Sequence, residues 1–131
     1  MTNRVWIYEA TVVRHVDGDT TVMDIDQGMN QWARNQYIRY AGINAPELST
    51  QEGKDALYYL ESLIDPGSFL WLATIEYHEF EKYGRVLAAV YLDAPDTIPW
   101  KNAALKDLMN GSINQAMIDM GHAVWYDPSN L

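Results

Sequence analysis

The chain has 131 residues, which suits one domain with a real core, and a 48% hydrophobic share with five Trp and nine Tyr excludes disorder. It has no cysteine, which removes disulfides, thiolate catalysis and Cys-based zinc sites together. A formal charge of −9 opposes general polyanion binding, so a nucleic-acid partner would require locally placed cations.

The opening stretch "MTNRVWIYEATVV" lacks the pattern of a signal peptide, since Glu9 interrupts its short apolar run. No apolar run approaches the roughly 20 residues of a membrane helix. The expected setting is therefore cytoplasmic or virus-encoded, with no membrane partner and a monomer as the default state. From Val5 to Val16, β-branched and aromatic residues predict a first strand, which the Asp17-Gly18 turn signal ends. A second strand is expected at about Thr20–Ile25, "DQGMNQWARNQ" as a wide loop, and "YIRYAGI" as a third strand in an antiparallel meander.

A helix follows, with Ser49 and Glu52 as a capping box, Ala56, Leu57, Leu60, Leu63 and Ile64 on one face, and Asp65-Pro66-Gly67 as its stop. "SFLWLATI" and "RVLAAVYL" are buried strands on either side of a Tyr83-Gly84 turn. A weaker helix is predicted from about Pro99 to Met109. The last helix starts at Ser112 with Gln115, buries Ile113, Ala116, Met117 and Met120, and ends at Gly121. "HAVWY" would close the sheet. The order βββ-α-ββ-α-α is that of an α+β protein with a five-stranded OB-type β-barrel and about three helices; a plain antiparallel sheet with helices on one face competes with it.

This topology sets the start of the second strand beside the end of the third, bringing Asp17 and Asp19 near Asn44, Ala45 and Glu47. Carboxylates, an amide and a backbone carbonyl are the hard oxygen donors that Ca²⁺ or Mg²⁺ takes. "VDGDT" taken alone is an ordinary acidic turn. Arg39, inside a strand, needs a partner or a ligand, and a structural ion pair competes evenly with phosphate binding. Arg85 taken alone is an ordinary strand-end arginine. Together, two arginines, an acidic corner and Glu47 suit phosphodiester hydrolysis, in which charge on the phosphoryl oxygens must be neutralised.

"VDGDT", "IRYAGINAPE" and "EKYGRVLAAVY" stand in the order and approximate spacing of the staphylococcal nuclease (thermonuclease) family, which the chain resembles over about Ala10–Asp127. The resemblance implies an OB-fold nuclease dependent on one Ca²⁺ ion, with other divalent ions possible, that cuts DNA and RNA and leaves 3′-phosphates. It implies Asp19 as a metal ligand, the Ala45 carbonyl as another, and Asn44 at the position of a second ligand. It further implies Glu47 at the attacking water, Arg39 and Arg85 on the phosphate, and Asp17 in support. Tyr83, its neighbour Lys82, and Tyr126 would line the substrate groove. Single-stranded DNA or RNA is the favoured substrate.

Two departures stand out. The family's best-known member has aspartate where this chain has Asn44, which implies weaker metal binding. "DAPDTIPWKNAALKDLMNG" also exceeds a short turn, so one domain over 1–131 with an added helical insertion at about 94–111 is expected. The alternative function is a catalytically weak or inactive OB-type module binding nucleic acid or protein. His15, His78 and His122 share no ligand spacing. "HEFEKYG" lacks the second His of a zincin. Trp6, Trp32, Trp71 and Trp100 are expected in core or shielding positions.

Overall fold

A computed structural model of the chain describes residues 4–75, 84–95 and 105–126. Strands β1 (Val5–Asp17), β2 (Thr20–Asp26) and β3 (Trp32–Tyr40) form the expected antiparallel meander. A two-residue strand β4 (Ile43–Asn44), helix α1 (Gln51–Leu63), strands β5 (Phe69–Ile75) and β6 (Val86–Tyr91), helices α2 (Leu105–Met109) and α3 (Ile113–Asp119), and strand β7 (Val124–Trp125) follow. Five strands close into a ring in the order β1-β2-β3-β6-β5, with β3 and β6 parallel and β5 antiparallel to both neighbours. The molecule is α+β, with an OB-like ring and three helices among the described residues.

Alternation places Ala10 and Val12, Met23 and Ile25, Ile38 and Tyr40, Leu70 and Leu72, and Val86, Ala88 and Val90 inside the ring. Ala56, Leu60 and Ile64 of the α1 region and Met117 of α3 join that core. A second cluster, Val5, Ala73, Ala89, Tyr91 and Leu108, lies on the opposite face of β5 and β6.

Three register irregularities shape the face turned away from the core. Val12 pairs with Met23 but Arg14 with Val22, so Val13 is an extra residue on β1. His15 pairs with Thr21 but Asp17 with Thr20, which makes Val16 another. On β3, Gln36 pairs with Met23 and Ala33 with Ile25, adding one residue where Asn35 takes φ 54°. A bulge reverses the face that later side chains take, so the first two re-aim Arg14 and Asp17 outward and the third brings Tyr37 to the face of Arg34.

Several local features differ from the expectation. The cap of α1 is Thr50, whose hydroxyl accepts from the Gly53 amide, rather than Ser49. Trp32–Gln36 belong to β3 and not to a loop, because the Asn35 bulge lets the ladder continue. Met120 is exposed, and Asn114 takes its place among the buried residues of α3. Asn114 donates to the carbonyls of Ala41 and Ala88 and accepts from the Val90 amide, tying α3 to β6. Strand β7 pairs with β4 in a separate two-stranded sheet instead of closing the ring. Trp6 and Trp32 are well exposed rather than shielded, and Trp100 lies outside the described residues. Within the expected 94–111 insertion, the described part contains α2.

Candidate functional site

Thr20 faces Arg39 across β2–β3, Asp17 faces Thr20 across β1–β2, and Arg39 faces Leu87 of β6. Residues directly opposite in a sheet share a face, so Asp17 and Arg39 stand in one outward row. Only 6% of Arg39 remains exposed, because the Ile43–Ala45 segment folds over it. Its guanidinium donates to the Tyr40 carbonyl at 2.9 Å and to the Asn44 side-chain oxygen, and lies 3.6 Å from an Asp19 carboxylate oxygen. The structural ion pair weighed against phosphate binding is therefore present, with Asp19 as the partner.

Asp19 organises the corner. The same carboxylate oxygen, Oδ2, accepts from the Ala45 amide at 2.8 Å, which fastens two segments 26 residues apart. Its backbone carbonyl accepts from Tyr40 N, and its amide donates to Asp17 Oδ1 at 3.0 Å. Burial, then the facing Asp19 carboxyl and its charge, push Asp17 up from the usual carboxylate range to about 6. Gly18 permits this closeness, since a Cβ there would stand 2.8 Å from the Ala56 Cβ and 2.9 Å from the Ala45 Cβ.

Glu47 lies beyond the Pro46 corner with an exposed side chain. Its carbonyl accepts from both the amide and the hydroxyl of Thr50, at 3.0 and 2.7 Å. The loop also rests on α1: a Cβ at Gly53 would come within 1.9 Å of the Glu47 carbonyl oxygen. Gly53 thus sets how closely the Glu47 loop approaches the helix. A glycine inside an amphipathic helix pattern was the available sign of such a contact.

Arg85 is half-buried just ahead of Val86, which pairs with Ile38. By alternation Arg85 takes the parity of Leu87, the residue opposite Arg39, so both arginines belong to the outer side of β3 and β6. Tyr126 is half-buried, and its amide donates to Gly42 O at 2.8 Å beside the β4–β7 pair. Lys82 and Tyr83 lie outside the described residues. His15 is structural: it bonds to Thr21 and to the Ile64 carbonyl, and Thr21 bonds in turn to the buried Tyr40 hydroxyl. His122 stacks on Tyr59.

Among the described residues, no group of three or more His, Cys, Asp or Glu side chains converges as a metal cage. What is present is a pair of crowded carboxylates. Burial, then the Asp19 carboxyl, raises the proton affinity of Asp17, and carboxylate oxygens set side by side are the hard donors a divalent cation takes. The donors of Asp17 and Asp19 therefore fit such an ion. The Asn44 oxygen, turned to Arg39, is engaged elsewhere.

A closed five-stranded OB-like ring with an acid–guanidinium corner on its outer face defines the class. The family described as staphylococcal nuclease homologue matches residues 37–130, and the chain belongs to it. That family consists of nucleases and nucleic-acid-binding relatives and is generally calcium-dependent. No curated protein matches the chain.

Proposed function

We infer that the protein is a calcium-dependent nuclease that hydrolyses phosphodiester bonds of DNA and of RNA, with single strands as the favoured substrate. The observation that carries this reading is the Asp19 junction, where one carboxylate touches the Ala45 amide at 2.8 Å and lies 3.6 Å from the Arg39 guanidinium. It joins an acidic turn to the arginine of the neighbouring strand and to the Ala45 segment 26 residues on.

Asp19, with Asp17 beside it and the Ala45 carbonyl, would hold the ion. Bound there, Ca²⁺ supplies positive charge against the phosphoryl oxygens and orients water. The Arg39 fork exchanges its contact with the neutral Asn44 oxygen for a phosphate oxygen, a charge-assisted bond of greater strength. Arg85 takes a second phosphate oxygen from the same side. Glu47, exposed at the lip of the corner, orients the attacking water and accepts its hydrogen bond. A carboxylate is a weak base for water at neutral pH, so positioning is the larger part of its work. Lys82, Tyr83 and Tyr126 are assigned to the substrate groove.

The Asn44–Arg39 contact favours a second reading, an interaction module in which Arg39 is held as a structural cation. Incubating single-stranded DNA with Ca²⁺ or with chelator separates the two. We expect Ca²⁺-dependent shortening, with Glu47→Gln and Arg39→Ala each at least about tenfold slower in folded protein. Strands that stay intact, or rates unchanged in both variants, would reject the nuclease.

A further inference from the structure

The outer face of β3 continues beyond Arg39. Tyr37 lies next along that face, opposite Val22, which is itself opposite Arg14 of β1. The Arg14 guanidinium donates to the Tyr37 hydroxyl at 2.8 Å and stands 5.6 Å from its ring centroid. Farther out, the Arg34 guanidinium lies 4.5 Å from the Trp32 ring.

Two bulges create this alignment. In unbroken alternation, with Val13 paired instead of bulged, Arg14 would share the inward face of Val12. In unbroken alternation, with Asn35 paired instead of bulged, Arg34 and Tyr37 would occupy opposite faces. Asn35 accepts φ 54°, a conformation that asparagine tolerates, and its amide donates to Asp24 Oδ1 at 2.8 Å. The same Asp24 lies 3.2 Å from Arg34 and holds that arginine over the strand while offsetting part of its charge. Arg14, Arg34 and Arg39 thus share the outer face of β1–β3 in a strongly acidic molecule.

Trp32 and Tyr37 are 40% and 44% exposed, so part of each residue reaches solvent. Glu9 and Asp26 pair in the row beside Trp32 and set an acidic limit on the β1 side. Beyond Tyr37, β3 leaves β6 among the described residues, since their pairing covers Ile38–Tyr40. From Arg39 to Trp32 the face spans ~20 Å at the strand rise. That length suits about four nucleotides, the low end for an OB-type fold.

We propose that this row, Arg39 then Tyr37 with Arg14 then Trp32 with Arg34, is the track along which single-stranded nucleic acid lies. Bases stack on Tyr37 and Trp32, and phosphates meet Arg14 and Arg34. The track deepens the nuclease reading and rests on it only for the position of the cut bond.

The test uses the full chain carrying Glu47→Gln, with Ca²⁺ present, and a labelled oligothymidylate of about ten nucleotides. Adding Trp32→Ala should weaken binding at least about fivefold, the effect of losing one stacked base. Adding Arg34→Gln should reduce the slope of log K against log salt by about 0.7, one phosphate contact on a single strand. In the otherwise unaltered protein, Trp32→Ala should slow cleavage of the long strand and leave a dinucleotide substrate unaffected. Weakened binding without cleavage of either substrate would keep the track and reject the nuclease. Undiminished binding in both variants, or no binding by the Glu47→Gln protein, would overturn the track and leave the face to a protein partner.

Discussion

At the residue scale, Asp17 and Asn44 set the charge of the corner. Asp17 holds its proton up to about pH 6, against an unfolded value of about 3.9. The native state therefore binds that proton more tightly than the unfolded chain does. Its stabilising effect is complete below about pH 4 and is lost as pH rises through 6. In chelator, Asp17→Asn should raise the melting temperature most above pH 6, with the gain over the unsubstituted protein shrinking toward pH 4. Thermal unfolding followed across that range checks it; a constant difference would refute it. Asn44 accepts from Arg39 without bringing charge. Asn44→Asp should tighten Ca²⁺ binding by at least about tenfold, since a further carboxylate adds a charged hard donor to the corner. Calorimetric titration reads this directly.

At the element scale, a helix positions the loop that carries Glu47. Gly53 is buried in α1, where alanine would ordinarily gain about 1 kcal/mol of helix propensity. The clash with the Glu47 carbonyl outweighs that gain, because overpacking of this kind costs roughly 1–3 kcal/mol. Gly53→Ala should lower the melting temperature despite better propensity, and should slow DNA cleavage about tenfold by displacing Glu47. Lys54→Ala, on the exposed side of the same turn, should change neither. Bulges act on β1 and β3 in the same indirect manner. They bring to one face side chains that strict alternation would separate.

For the whole molecule, net charge and local charge pull in opposite directions. A chain of −9 repels a nucleic-acid strand at long range, while a few arginines attract it at contact. Affinity should accordingly be modest and should fall about tenfold between 50 and 200 mM salt, as two or three phosphate contacts on a single strand dictate. Fluorescence anisotropy over that salt range provides the measurement, and a salt-independent affinity would argue for a non-electrostatic mode.

Much of this protein was readable along the chain. Strand periodicity, the Asp17-Gly18 turn, the Pro66-Gly67 stop and the Ser112 cap follow from local stereochemistry, which needs no distant partner. The pairing of an acidic turn with the end of the third strand also followed, because an antiparallel hairpin dictates its own neighbours. Register did not follow. Whether Arg14 and Arg34 face the core or the solvent depends on single inserted residues that leave the composition of a strand unchanged. The Thr50 cap, the β4–β7 sheet and the burial of Asn114 likewise depend on which segments meet. A hydrogen bond across the fold chooses its partner by position in space, and the order of residues alone does not supply that position.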